Sequence, residues 1–426
     1  MTTQETLALL RAHESRNVLF TEPDGSWPIV WERAEGVHVW DPEGKQYLDL
    51  TAAFGVAAAG HANPAVVQAG QAQLRKLMHA MGDVHPHAPK ALLARELSRL
   101  TFERWQQQPA KVIFGSSGFE AVEAALKTAL LATGKRGVIA FEGGYHGLGY
   151  GALNATHREL FRGPFKNQLR EFGRFVPFPT RREDLTKTEF QIRHHARQER
   201  IGAVLVEPVQ ARGGIQIPPP EFLQLLRQWC DQAGALLILD EIYTGFGRTG
   251  KWFACEHSGV VPDVICLGKA LTGGFPLSAC VGRSGLMDAA WPASAGEAIH
   301  TSTFLGNPVG CAMALAQLGE LRRLKLPARS ADLGAYWLAL ATAELVPLKL
   351  NLQIRGVGLM TGVELRQPDG KPATAVALQA IKTLLHRGFI LLPEGEHGNI
   401  ISFTPPLTIT KTQLKSAVRA LAEVLR

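Results

Sequence analysis

Short, uniformly apolar runs separated by longer amphipathic stretches dominate the middle of the chain. Lys111–Phe114, Gly137–Phe141, Ile201–Val206, Ala235–Leu239 and Val264–Leu267 are strand-sized, and their apolar residues do not alternate with polar ones. Such runs read as strands buried on both faces. The intervening segments Glu120–Thr133 and Glu221–Ala233, the second behind Pro218–Pro220, have helical patterning. Strand and helix in alternation predict an α/β fold with a mainly parallel sheet flanked by helices. Before this region, Gly36–Trp40 and Gln46–Leu50 flank Asp41-Pro-Glu-Gly44, the pattern of a hairpin. A helix is expected from Pro64 to about His79. Beyond about residue 325 the texture changes to helices with a few strands, Gly358–Leu365 and Ile400–Phe403 among them. The expected organisation is a large domain over residues 60–320 and a smaller α+β domain built from both termini, residues 1–59 and 321–426.

Composition narrows the class. The chain has 426 residues, 46% of them hydrophobic, and no apolar run long enough to span a membrane. Its first residues have neither the basic start nor the apolar stretch of a signal peptide. The formal charge is +7, but basic residues are scattered, the densest groups being pairs such as Arg181-Arg182. That distribution fits a solvated surface mildly favouring anionic substrates and argues against nucleic-acid binding. The five cysteines form no C-x-x-C pair, as expected of a reduced, cytoplasmic protein.

In open parallel sheets ligands bind beyond the carboxyl ends of the strands, and four such ends carry unusual residues. Phe114-Gly-Ser-Ser-Gly-Phe-Glu120 runs from strand to helix through small residues, the makings of a phosphate cup or of a serine-capped tight turn. Asp240 ends an apolar strand, where a carboxylate needs a partner: a protonated ring nitrogen, a structural salt bridge or a metal. Lys269, just past Cys266-Leu-Gly268 and before Gly273-Gly274, is placed to be a buried amine able to form an imine. Tyr145, in Glu142-Gly-Gly-Tyr-His-Gly147, is an aromatic that can stack on a planar ligand. Phosphate cup, carboxylate, imine-forming lysine and stacking aromatic together are what a pyridoxal 5'-phosphate site requires.

Two motifs are decoys. Gly245-Phe-Gly-Arg-Thr-Gly-Lys251 resembles a nucleotide loop, but Trp252 stands where the metal-binding hydroxyl belongs and no strand leads into the glycines. His79, His85 and His87 lack the spacing of a zinc set, so no metal is expected.

The chain resembles the class III (omega) aminotransferases of the fold-type I pyridoxal-phosphate enzymes. The resemblance runs from the Gly36–Leu50 hairpin to Pro405-Pro-Leu407. It is most specific in Leu239-Asp-Glu-Ile-Tyr-Thr-Gly-Phe-Gly-Arg-Thr-Gly250, Pro262-Asp263 and Gly268-Lys-Ala-Leu-Thr-Gly-Gly-Phe-Pro276. It implies that Lys269 forms the Schiff base with the cofactor and moves the substrate proton, and that Asp240 faces the pyridine nitrogen. Ile242 and Tyr145 would cover the two ring faces, with His146 beside Tyr145. Ser117, Gly118 and the backbone of Phe119 would hold the phosphate. Thr303 would reach the phosphate of a neighbouring subunit, which implies a homodimer with shared sites. The implied reaction moves an amino group from an amino acid or omega-amino compound to a 2-oxo acid by a ping-pong route. A racemase, aminomutase or lyase on the same fold is the alternative, and a non-catalytic relative is disfavoured by the presence of both Lys269 and Asp240.

The departures from the family are informative. Tyr243 stands where many members have a glutamine near the ring hydroxyl. Phe119 replaces a small residue of the phosphate cup. The arginine that grips the α-carboxylate in amino-acid-specific members is Ser402 here, and its glutamate partner is Arg212. Arg212 is therefore the expected partner of the substrate's acidic group.

Overall fold

The computed structural model describes residues 1–22 and 25–426. Its centre is a seven-stranded sheet: β1 (Ala110–Gly115), β2 (Gly137–Phe141), β3 (Gly173–Val176), β4 (Ile201–Val206), β5 (Leu236–Asp240), β6 (Val264–Leu267) and β7 (Ser278–Arg283). The spatial order is β1-β7-β6-β5-β4-β2-β3. Only β7 runs antiparallel to its neighbours. All residues of β2, β4, β5 and β6 are buried, which is why these strands read as unbroken apolar runs. β5 lies one residue later than expected, so Asp240 is its last residue rather than the first after it.

Two strands of this sheet escaped the sequence reading. β3 is an edge strand whose Gly-Arg-Phe-Val carries an arginine and only two buried residues. β7 reads Ser-Ala-Cys-Val-Gly-Arg, too small and mixed to look like a core strand, yet it fills the slot between β1 and β6. The helix after Pro64 ends at Lys76, shorter than expected, where Leu77 turns extended.

Helices α1 (Gly118–Thr133) and α2 (Phe222–Ala233) show how sequence fixes the layers. α1 starts with a reciprocal Ser117–Glu120 capping box and ends at Gly134 in the left-handed region, φ +62°. α2 buries Phe222, Leu223, Leu226, Trp229 and Cys230, one stripe at helical spacing, and also stops at a left-handed glycine, Gly234.

The remaining strands form two four-stranded sheets. Leu352–Val357, Met360–Leu365, Ile400–Phe403 and Leu392–Glu394 make an antiparallel sheet in that order. The N-terminal hairpin, His38–Trp40 with Gln46–Asp49, carries Arg33–Glu35 on one side. On its other side it accepts Phe389–Ile390 in parallel, so the two ends of the chain share a sheet. One apolar core cluster runs from Val37 through the central sheet to Ala422.

Candidate active site

A cavity of about 350 Å³ opens at the carboxyl ends of the parallel strands. Gly118, Phe119, Tyr145, His146, Arg212, Asp240, Ile242, Tyr243 and Lys269, all singled out in the sequence, line it. Ser117 and Thr303 do not. Ser117 sits at the rim, its hydroxyl 3.2 Å from the Glu120 carboxylate. Thr303 is exposed, in the segment before the helix Pro308–Arg323.

Asp240 is buried at the end of β5. Its Oδ2 lies 2.8 Å from Nδ1 of His146, itself buried, and its Oδ1 accepts the Ile242 N–H at 3.1 Å. An ionised carboxylate only accepts, so Nδ1 of His146 carries the proton and donates. His146 is thus the clamp of Asp240, a tighter role than a neighbour of Tyr145. The His146 backbone is fixed in turn by its N–H to Thr156 Oγ1, 2.9 Å.

Lys269 follows β6 through Gly268 with φ +40°, a left-handed conformation costly for a lysine. Burial holds its ammonium below the ordinary lysine pKa, against the pull of Asp240 and Glu207. Its Nζ lies 4.6 Å from the centre of the Tyr243 ring. The Tyr243 hydroxyl faces away, to Thr404 Oγ1 at 3.1 Å, and is pushed up to about 12 by burial. Tyr243 therefore turns its ring to Lys269 while its hydroxyl is engaged by Thr404. Gly55, φ +80°, makes the room: a Cβ there would lie 2.8 Å from Cε1 of Tyr243.

The turn into α1 differs in detail from a fully open phosphate cup. Both Ser116 and Ser117 N–H groups donate to Glu120 Oε2 at 2.7 Å. The N–H groups left to meet an anion from the cavity are those of Gly118 and Phe119, at the positive end of α1. A Cβ on Gly118 would meet Ile242 Cδ1 at 3.0 Å, so only glycine leaves this cradle its depth.

Three charged groups of the site went unremarked as functional candidates. Glu207 directly follows β4, and its strand-end position is the signal that could have found it, as it found Asp240. It is buried, accepts the N–H groups of Tyr145 and Ala211, and is pushed up to about 7 by burial. Glu394, on a three-residue strand, and Arg158, in a loop before a one-turn helix, lie far apart in the chain with no local pattern to mark them. Glu394 is buried at the end of its strand and likewise pushed up to about 7 by burial. Arg158 donates to the Arg212 carbonyl at 2.5 Å.

Helix-terminal N–H groups, a glycine-deep cradle, a lysine amine without an ion pair among the described residues and a clamped buried carboxylate around one cavity fit pyridoxal phosphate. A model of the family described as aminotransferase class-III matches residues 20–425. The chain belongs to the class III aminotransferases. Similar proteins include an acetylornithine aminotransferase of Methanosarcina mazei, 37% identical over 94% of this chain and 92% of the relative. A 2-aminoadipate transaminase of Pseudomonas putida is 36% identical over 93% and 96%. A transaminase structure from Virgibacillus superposes with a TM-score of 0.89 at 27% identity, covering 99% of this chain and 98% of that one. An amine transaminase from an uncultivated Pseudomonas species, solved with PLP bound, gives 0.88 at 28% identity over 96% and 97%. As a class III aminotransferase of fold type I, the protein is a PLP-dependent enzyme that moves amino groups between amino compounds and 2-oxo acids. No helix among the described residues is long and apolar enough to cross a membrane.

Proposed function

We propose that this aminotransferase works through Lys269 and Asp240 and takes a substrate bearing an acidic group that Arg212 binds. The observation that carries the first part is the placement of Lys269: its amine faces the cavity within electrostatic reach of Asp240 and forms no ion pair among the described residues. Bound there, PLP supplies an aldehyde that condenses with amines and a ring that withdraws electrons. Asp240, fixed by His146, presents a negative charge suited to a cationic ring nitrogen. Ile242 and Tyr145 offer an aliphatic and an aromatic face for a planar ring. Gly118, Phe119 and, at the rim, Ser117 are the phosphate side. Burial holds Lys269 below its ordinary pKa, which eases release of the proton that its Nζ takes up.

Arg212 lines the same cavity, and its buried Nε makes no hydrogen bond among the described residues. Ser402, at the position of the family's arginine, is buried and donates its hydroxyl to the Leu392 carbonyl at 3.1 Å. A guanidinium is suited to two-point carboxylate binding. The relatives named for acetylornithine and 2-aminoadipate carry acidic substrates in their names, which supports this reading. The proposal extends to a cytoplasmic homodimer in which Thr303 reaches the partner's phosphate site, and to the division at residues 60–320. Exposure of Thr303 and the sheet shared by both termini support these readings.

The test is a half-reaction. Purified holoenzyme receives single amines or amino acids with no acceptor present. Conversion of the cofactor's visible band to that of its amine form, with an equal amount of carbonyl product, supports transfer and identifies the donor. A compound racemised, rearranged or cleaved while the band persists refutes it. Arg212→Ala should raise KM for acidic substrates, and an unchanged KM removes Arg212 from the site.

A further inference from the structure

Arg212 is positioned by its surroundings rather than by a partner charge. Its carbonyl oxygen accepts two hydrogen bonds, from Nη2 of Arg158 at 2.5 Å and from the Gly395 N–H at 3.2 Å. Three segments remote in sequence meet on that one atom: the residue before the short helix Glu159–Arg162, the stretch after β4, and the end of the strand Leu392–Glu394. The Arg212 guanidinium carbon lies 4.7 Å from the ring centre of Tyr145 and 5.7 Å from that of Phe161. Phe161 belongs to the same short helix that Arg158 precedes, so backbone and side chain of Arg212 are gripped from one element. The two rings themselves pack edge to face, 5.6 Å apart.

The electrostatics of this corner are unbalanced. Burial, and then the charge of Arg212, hold Arg158 below the ordinary arginine pKa. Neither arginine forms an ion pair among the described residues. Glu207 is engaged by backbone N–H groups, and Glu394 attracts both arginines without pairing with either. Two guanidiniums held together repel each other; Glu394, Glu396 and Glu207 oppose that repulsion at Arg158 without pairing with it, and an arriving carboxylate that pairs with Arg212 relieves it further.

We propose that Arg158 is a specificity-determining positioning residue. Through the carbonyl of Arg212 it fixes that guanidinium as the receptor for a carboxylate at the end of the substrate away from the reacting carbon. It thereby selects dicarboxylic over monocarboxylic partners. The inference rests on the reading of Arg212 given above.

Glutarate and butyrate, which carry neither oxo nor amino group and cannot react, are the probes. Their affinities for the holoenzyme are measured by calorimetry in wild type, Arg158→Ala, Arg158→Lys and Arg212→Ala, with melting curves to establish folding. Wild type should prefer glutarate by about tenfold or more. R158A should lose about tenfold for glutarate and less than about threefold for butyrate, and R158K, which keeps a charge and a donor, should lie between. With 2-oxoglutarate as acceptor, the R158A defect should fall on KM more than on kcat. Equal weakening of both probes in R158A, or none, overturns the inference. If R212A loses the preference while R158A keeps it, only the role of Arg158 fails. If R212A keeps the preference, the reading of Arg212 fails with it.

Discussion

Replacing His146 with alanine isolates the contribution of the Asp240 clamp. The histidine donates to Oδ2 at 2.8 Å, and both side chains are buried, Asp240 at 4% exposure and His146 at 2%. A hydrogen bond to a charged group at such a site is worth about 1.5–3 kcal/mol. Each 1.36 kcal/mol corresponds to about a factor of ten. If that bond orients Asp240 for the cofactor's ring nitrogen, kcat/KM of the donor half-reaction should fall by about 10- to 150-fold. The Ile242 N–H still holds Oδ1, so the carboxylate is not released altogether and the lower half of that range is favoured. His146→Gln, which can present an N–H, should recover part of the loss. The assay is single-turnover conversion of the cofactor band at saturating PLP, with cofactor affinity and melting temperature measured beside it. A loss below about threefold in folded, PLP-saturated H146A would refute the reasoning, because the bond would then not be orienting Asp240.

Gly118→Ala places a Cβ 3.0 Å from Ile242 Cδ1 and 3.2 Å from its Cγ2, so cofactor affinity should fall about tenfold by equilibrium dialysis, and an unchanged affinity contradicts the cradle. Glu394, pushed up to about 7 by burial from an ordinary 4.5, is largely neutral below that pH and ionised above it. Ionised, it offsets Arg212 and Arg158, so KM for a dicarboxylate acceptor relative to pyruvate should rise between about pH 6 and pH 8. Glu207 titrates in the same range and Lys269 also faces this corner, so Glu394→Gln is the control: a rise that persists in E394Q assigns the effect elsewhere. All five cysteines are buried, and burial raises their thiols, Cys280 and Cys311 to about 12. A thiol–disulfide reagent should therefore find none of them within minutes in the native protein and all five after denaturation, and more than one fast native thiol would contradict the core as described.

Where a residue's surroundings are built by its own strand, the sequence announced it. β4, β5 and β6 are buried along their whole length, so apolar continuity gave both their position and the strand-end sites of Asp240 and Lys269. β7 was hidden because its burial comes from two neighbouring strands rather than from its own composition. The same holds within the site. Glu120 engages the N–H groups of Ser116 and Ser117, Thr404 turns the Tyr243 hydroxyl away, and Gly55 admits the Tyr243 ring. Each is a long-range or side-chain choice that residue spacing does not encode. Arg158 and Glu394 were silent for the same reason: each acquires meaning only through Arg212, whose carbonyl gathers their segments.

The parallel pairing of Phe389–Ile390 with Gln46–Asp49 has a consequence for biosynthesis. Nearby, Lys45 Nζ donates to the His386 carbonyl, 341 residues away along the chain. While the nascent chain emerges, the hairpin strand Gln46–Asp49 must wait with a bare edge until almost the last helix has been made. Open strand edges recruit other chains, so a nonsense mutation before Phe389 would release a protein that keeps every residue lining the cavity, lacks Glu394 and is prone to self-association. Chaperone demand during synthesis should accordingly track the final tenth of translation rather than the formation of the cofactor site.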